Sequence, residues 1–142
     1  MSGLRNYREL DTWQLAMTLV ETTYRVTQSL PDKERYGLIA QMQRSAISIP
    51  SNIAEGEARG TVRFGLHFVR IAIGSAAELE TQAEVAQRLG YVTSADISAL
   101  VEQLLRVRQM LYGMRREHQR RLGSVTGAGV LFVLLGALQL LT

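Results

Sequence analysis

Apolar positions recur every three to four residues in four separate stretches of this chain, and no stretch alternates apolar and polar residues long enough to predict a strand. The spacing predicts a first helix over residues 11–29. Asp11 is its candidate N-cap, and Pro31 ends it by disfavouring helical geometry at Leu30. Trp13, Met17, Val20, Tyr24 and Thr27 supply the expected core face, with Trp13 as its anchor. A second helix is expected over residues 32–57, where Ile39, Met42, Ala46, Ile49 and Ile53 keep the step of a bundle seam. Pro50 falls inside this pattern and is expected to kink the helix, with Ser48 and Ser51 bonding to backbone groups that the proline frees. Gly56 and Gly60 are read as its exit.

The third helix is expected over residues 61–89. Leu66, Val69, Ile73, Ala76, Ala83 and Ala86 make one stripe, and Phe64, Phe68 and Ile71 make a second, offset stripe. Two apolar faces on one helix call for two neighbours within the chain or for a partner subunit, so Phe64, Phe68 and Ile71 are candidate oligomer contacts. Gly90 suits the C-terminal cap. The fourth helix begins at Thr93, where Thr93-Ser94-Ala95-Asp96 resembles a capping box with aspartate in place of glutamate. Its seam of Ile97, Leu100, Leu104, Val107, Leu111 and Met114 is the most regular in the chain. Short connections between such helices imply antiparallel neighbours. The fold class is therefore all-α, an up-down-up-down antiparallel four-helix bundle over residues 1–121, followed by an apolar C-terminal segment over residues 122–142.

Composition narrows the chemistry more than it narrows the fold. A chain of 142 residues fits one domain and can bury a core without a covalent staple. There is no cysteine, so disulfides, thiol catalysis and thiolate metal sites are excluded. Nothing in residues 1–11 resembles a signal peptide, and a cytoplasmic location is the expectation. Net charge is +3, but Arg106, Arg108, Arg115, Arg116, Arg120 and Arg121 face only Glu117 within residues 106–121. Such a cluster suits RNA phosphate or an anionic lipid, and it equally suits the negative end of a helix dipole.

Candidate chemistry is thin. Di-iron bundles use Glu-x-x-His motifs, yet Phe64 stands three residues before His67 and Arg115 three before His118. Ser45, Ser48 and Ser51 lack a nearby histidine and a nucleophile elbow, and residues 56–60 lack the lysine and hydroxyl of a phosphate loop. No catalytic residue, metal site, cofactor or small-molecule substrate is implied. One polar strip remains: Arg44, Ser48, Asn52, Glu55 and Arg59 share a face of the second helix. With Glu78 of the third helix it can form a buried network, a subunit interface or an RNA-phosphate contact.

Several blocks are recognisable together: Tyr7-Arg8-Glu9-Leu10 with Trp13-Gln14, Tyr36-Gly37-Leu38 with Gln41, and Arg44-Ser45-Ala46-Ile47-Ser48-Ile49-Pro50-Ser51-Asn52-Ile53-Ala54-Glu55-Gly56. Ile71-Ala72-Ile73-Gly74-Ser75, Glu78-Leu79-Glu80 and Leu89-Gly90-Tyr91 complete the set. Over about residues 5–117 the chain resembles the bacterial four-helix bundle proteins encoded in intervening sequences of 23S rRNA genes. The resemblance implies a ring-like homo-oligomer, a pentamer, and no established enzymatic activity. A distant relationship to the accessory subunit of diversity-generating retroelements adds RNA, nucleoprotein or reverse-transcriptase binding as an alternative, by analogy alone.

Two features depart from that family. Gly65 stands where members carry a longer side chain, at a cost of about 1 kcal/mol relative to alanine. The other departure is the tail, which carries no charged side chain after Arg121. As a helix, residues 125–141 would extend roughly 25 Å, just short of a bilayer's hydrocarbon core. They are read either as a membrane anchor, preceded by Arg115, Arg116, Arg120 and Arg121 as the positive-inside rule asks, or as a segment packed on the bundle or along an oligomer axis. Gly123 and Gly127 suit close helix contact. The expected function is a non-enzymatic, self-assembling bundle with a structural or adaptor role; the alternative is an RNA- or reverse-transcriptase-binding module using the arginines of the fourth helix.

Overall fold

The computed structural model describes residues 6–139, the side chains of residue 133 and residues 136–139 excepted. Four α-helices make up the fold: α1 (Asp11–Thr27), α2 (Leu38–Ala58), α3 (Val62–Arg88) and α4 (Ser98–Gln139), with short 3₁₀ turns at Tyr7–Glu9 and Asp32–Glu34. No strand occurs among the described residues. Each helix packs on two others: α1 on α2 and α4, and α3 on α2 and α4, with α2–α3 the most extensive seam. Among the described residues the backbones of the diagonal pairs stay apart, which is the square arrangement of an up-down-up-down bundle.

The α4 seam lies where its pattern places it. Ile97, Leu100, Leu104, Val107 and Leu111 are buried, and Met114 is half-buried at its end. Met42, Ala46, Ile49 and Ile53 of α2 meet Val69, Ala72, Ala76, Leu79 and Ala83 of α3 in the same core. The small side chains on α3 let the two backbones approach closely.

Helix α1 is turned by one position from expectation. Its core face is Thr12, Ala16, Leu19, Thr23 and Val26, with Thr27 buried as expected, while Met17 is 38% and Tyr24 is 41% exposed. Threonines caused the difference. Thr23 Oγ1 donates to Leu19 O at 2.7 Å and Thr27 Oγ1 to Tyr24 O at 2.9 Å, so each hydroxyl donates within its own helix and both residues are buried. Trp13 is half-buried at the core's edge, with the Tyr7 ring edge-on at 5.5 Å.

Helix boundaries differ for identifiable reasons. Leu10, not Asp11, occupies the N-cap of α1, and Asp11 is its first helical residue. Helix α2 begins at Leu38, six residues later than expected, because the Glu34 carboxylate accepts from Leu38 N at 3.1 Å and caps the helix from outside. A Cβ at Gly37 would lie 2.8 Å from that carboxylate, so the cap needs the glycine there. Pro50 sits within an uninterrupted α2. The Ser48 hydroxyl turns away from the backbone towards α3, and the Asn52 amide instead donates to Ser48 O at 2.7 Å.

Gly56 is buried inside α2 rather than at its exit; Gly60, with φ of 70°, makes the turn into α3. Thr61 caps α3 by accepting from Phe64 N at 3.2 Å. The box at Thr93 forms, with Asp96 N to Thr93 Oγ1 at 3.2 Å and Thr93 N to Asp96 Oδ2 at 2.7 Å. Regular α4 starts only at Ser98, and it does not stop at Arg121.

Candidate functional site

The polar strip resolves into two clasps. Ser48 and Ser75 place their hydroxyl oxygens 2.8 Å apart across the α2–α3 seam. Ser75 Oγ also reaches Ile71 O at 3.1 Å, and the Asn52 amide donates to Ser48 Oγ at 2.9 Å. One turn earlier, Ser45 Oγ donates to the Glu78 carboxylate at 3.3 Å. Ser45 and Ser75 were not in the expected strip, since serines at helical spacing give no sign of which face they take. Glu55 and Arg59 pair with each other at 2.8 Å at the exposed end of α2, and Arg44 stands exposed beside Tyr24 and Ile47. The clasps join α2 to α3, side chain to side chain.

Below them lies a junction that the sequence pattern did not signal. Gly56 of α2 faces Gly65 of α3, and a Cβ on Gly56 would meet Phe68 Cβ at 3.0 Å and Gly65 Cα at 3.4 Å. His118 of α4 fills the space over Gly65, where an added Cβ would come within 2.7 Å of its Nε2. The departure at Gly65 therefore makes room for a histidine. Both ring nitrogens of His118 are buried without a hydrogen-bond partner, and Nε2 is 3.9 Å from Glu57 Oε1, beyond hydrogen-bond reach. Burial holds the imidazole below its usual pKa; Glu57 opposes this and Arg121 reinforces it.

The six arginines do not form one patch. Arg108 pairs with Glu80 of α3. Arg120 is bound to Glu117 through two contacts of 3.0 and 2.8 Å, which hold that carboxyl below the usual range. Arg115 stacks its guanidinium 4.9 Å from the Tyr112 ring centroid. Arg106, Arg116 and Arg121 are exposed. The second stripe of α3 lies on the outer α2–α3 face: Phe64 is 42% and Ile71 40% exposed, and Phe68 is half-buried. Arg59 lies over both rings, 5.0 Å from Phe64 and 5.2 Å from Phe68. Across α3, a groove towards α4 is lined by Ala83, Ile97, Val101, Leu104 and Leu105 between Glu80, Glu84 and Arg88.

Beyond the bundle, α4 continues with Val125, Val130, Leu131, Phe132, Leu134 and Leu135 exposed, so over these residues the segment does not pack on its own bundle. Among the described residues no helix is long and apolar enough to cross a membrane. The expected span at 125–141 lies partly outside the residues whose side chains are described. Also among the described residues, no three histidine, aspartate or glutamate side chains group as a metal site would need.

Four antiparallel helices, a polar clasp between two of them and an exposed apolar face define a helical-bundle protein organised around packing surfaces. The chain belongs to the 23S rRNA-intervening sequence protein family, whose profile matches residues 8–113. That match stops short of His118 and of the α4 extension. No curated protein matches the chain.

Proposed function

We propose that this chain is a non-enzymatic structural or adaptor protein that works as a self-assembled ring of bundles. The observation that carries the reading is the outer face of α3. Its inner face is already filled by α2 and α4, yet Phe64 and Ile71 remain exposed, as does Val85 (39%) about four turns further along the helix. An apolar face left over once the intrachain core is complete fits a contact between subunits.

The α3–α4 groove, with Val101 and Leu105 exposed along it, is a different apolar surface on the other side of the same helix. Two unlike patches favour head-to-tail pairing over a twofold dimer, and head-to-tail pairing closes into rings when its rotation allows. The family resemblance points to five copies. Clasps that fix α2 against α3 support this role, because a repeated interface needs each subunit to present the same rigid surface.

Native mass spectrometry or sedimentation of the full chain tests the reading. The parent protein is expected as a discrete oligomer, and Phe64→Asp with Ile71→Asp is expected to release monomers of unchanged helix content. A parent that is monomeric at micromolar concentration, or a double variant with undiminished mass, would overturn the proposal.

A further inference from the structure

The continuation of α4 past the bundle has no counterpart in the packing just described. Leu122 is the last half-buried residue, and from Gly123 every residue whose side chain is described, through Leu135, is exposed. Val125, Val130, Leu131, Phe132, Leu134 and Leu135 are each more than half exposed. At about 100° per residue these six spread over about 220° of the helix circumference, and the remaining arc holds Gly129, Val133 and a single polar residue, Thr126, so there is no apolar stripe against a polar one. A stripe would fit the groove of another bundle or a coiled-coil seam. All-round apolarity fits a medium that surrounds the helix.

The local chemistry also suits lipid. The Thr126 hydroxyl donates to Leu122 O and Gly123 O, at 3.2 and 3.0 Å, so it carries no unmet donor into an apolar medium. No polar side chain occurs between Gly127 and Leu138. A Cβ at Gly123, Gly127 or Gly129 would meet nothing within 4 Å, so these glycines serve no close contact within this chain. Glycines and β-branched residues make a poor helix in water, whereas lipid compels every backbone group to bond within the helix. Just before the apolar run stand Arg115, Arg116, Arg120 and Arg121, with Glu117 the one acidic residue among them. That charge complements anionic headgroups.

We propose that the end of α4 docks the bundle on an anionic lipid surface, with Arg116, Arg120 and Arg121 at the headgroups and residues 125–135 among the acyl chains. Those eleven residues extend about 16 Å, roughly the depth of one leaflet. This docking does not depend on ring assembly.

Flotation of the full chain with vesicles tests it, using phosphatidylcholine alone or with about 30% phosphatidylglycerol. The parent floats with the anionic vesicles and about tenfold less with neutral ones or in about 0.5 M salt. Leu131→Asp with Leu134→Asp stays unbound while its helical spectrum shows an intact bundle, and Arg116→Gln with Arg121→Gln loses most of the anionic preference. Because the chain has no cysteine, Leu134→Cys carries a single environment-sensitive fluorophore. Its emission shifts to the blue, and nitroxide lipids quench it, only after vesicles are added. Three results each overturn the proposal: a parent that floats with neither vesicle, an aspartate variant that floats like the parent, or a label already shielded without lipid, which would mean that protein covers the tail.

Discussion

Gly65 and His118 show how one side chain licenses another. Alanine at Gly65 would gain up to about 1 kcal/mol of helix propensity, but its Cβ would press on a buried ring, and such overpacking costs about 1–3 kcal/mol. Gly65→Ala is thus expected to destabilise the parent and to be neutral or stabilising in a His118→Ala background. Chemical denaturation of the four proteins measures that coupling. Gly56→Ala has no such escape, because its nearest neighbours are Phe68 Cβ and the Gly65 backbone; a loss of about 1–3 kcal/mol is expected. His118 also gives the fold a pH dependence. Its folded pKa is depressed, so the unfolded chain binds the proton more readily, and stability falls as pH drops below the unfolded value of about 6.5. Thermal melts between pH 7.5 and 5.5 should show a decline for the parent, made shallower by His118→Gln. None of this was legible in the residue pattern, where His118 counted only as a histidine without a Glu-x-x-His motif. Its partner in space lies on α3, and no spacing within α4 could point there.

At the scale of elements, Glu34 ties two connections together. One carboxylate oxygen caps α2 at Leu38 N, and the other accepts from the Tyr91 hydroxyl at 3.1 Å, joining the α1–α2 turn to the α3–α4 turn. Glu34→Ala is expected to cost about 1–2 kcal/mol, and Tyr91→Phe about half as much, because it spares the cap. Equilibrium unfolding of the two variants checks the order. The same elements show which features can be read from sequence. The α4 seam was legible because its core positions are large aliphatics with unambiguous spacing. The α1 face was not, because Thr12 and Thr23 are core residues that a polarity pattern discards. The late start of α2 depends on a cap supplied from four residues upstream, a geometry that Asp32 at the expected boundary concealed. The Ser48–Ser75 clasp joins residues on two helices, so the strip on α2 showed only half of it.

The whole molecule divides by coverage rather than by a break in the chain. Hydrogen exchange on the lipid-free protein is expected to show slow amides in the α2 and α4 core positions and near-unprotected amides beyond Leu122, although one helix contains both. Slow exchange in residues 123–135 without lipid would instead indicate a protein cover. Because α4 is unbroken from Ser98 to Gln139, there is no hinge between the packed part and the bare part. The bundle is carried like a flag fixed to its pole. If the far end is held, the tilt and rotation of the domain are set with it. The end bearing the α2–α3 turn then faces the support, and the end joined by Glu34 and Tyr91 faces outward in every copy. Orientation would thus be a built-in property, available to any partner that must meet many copies the same way up.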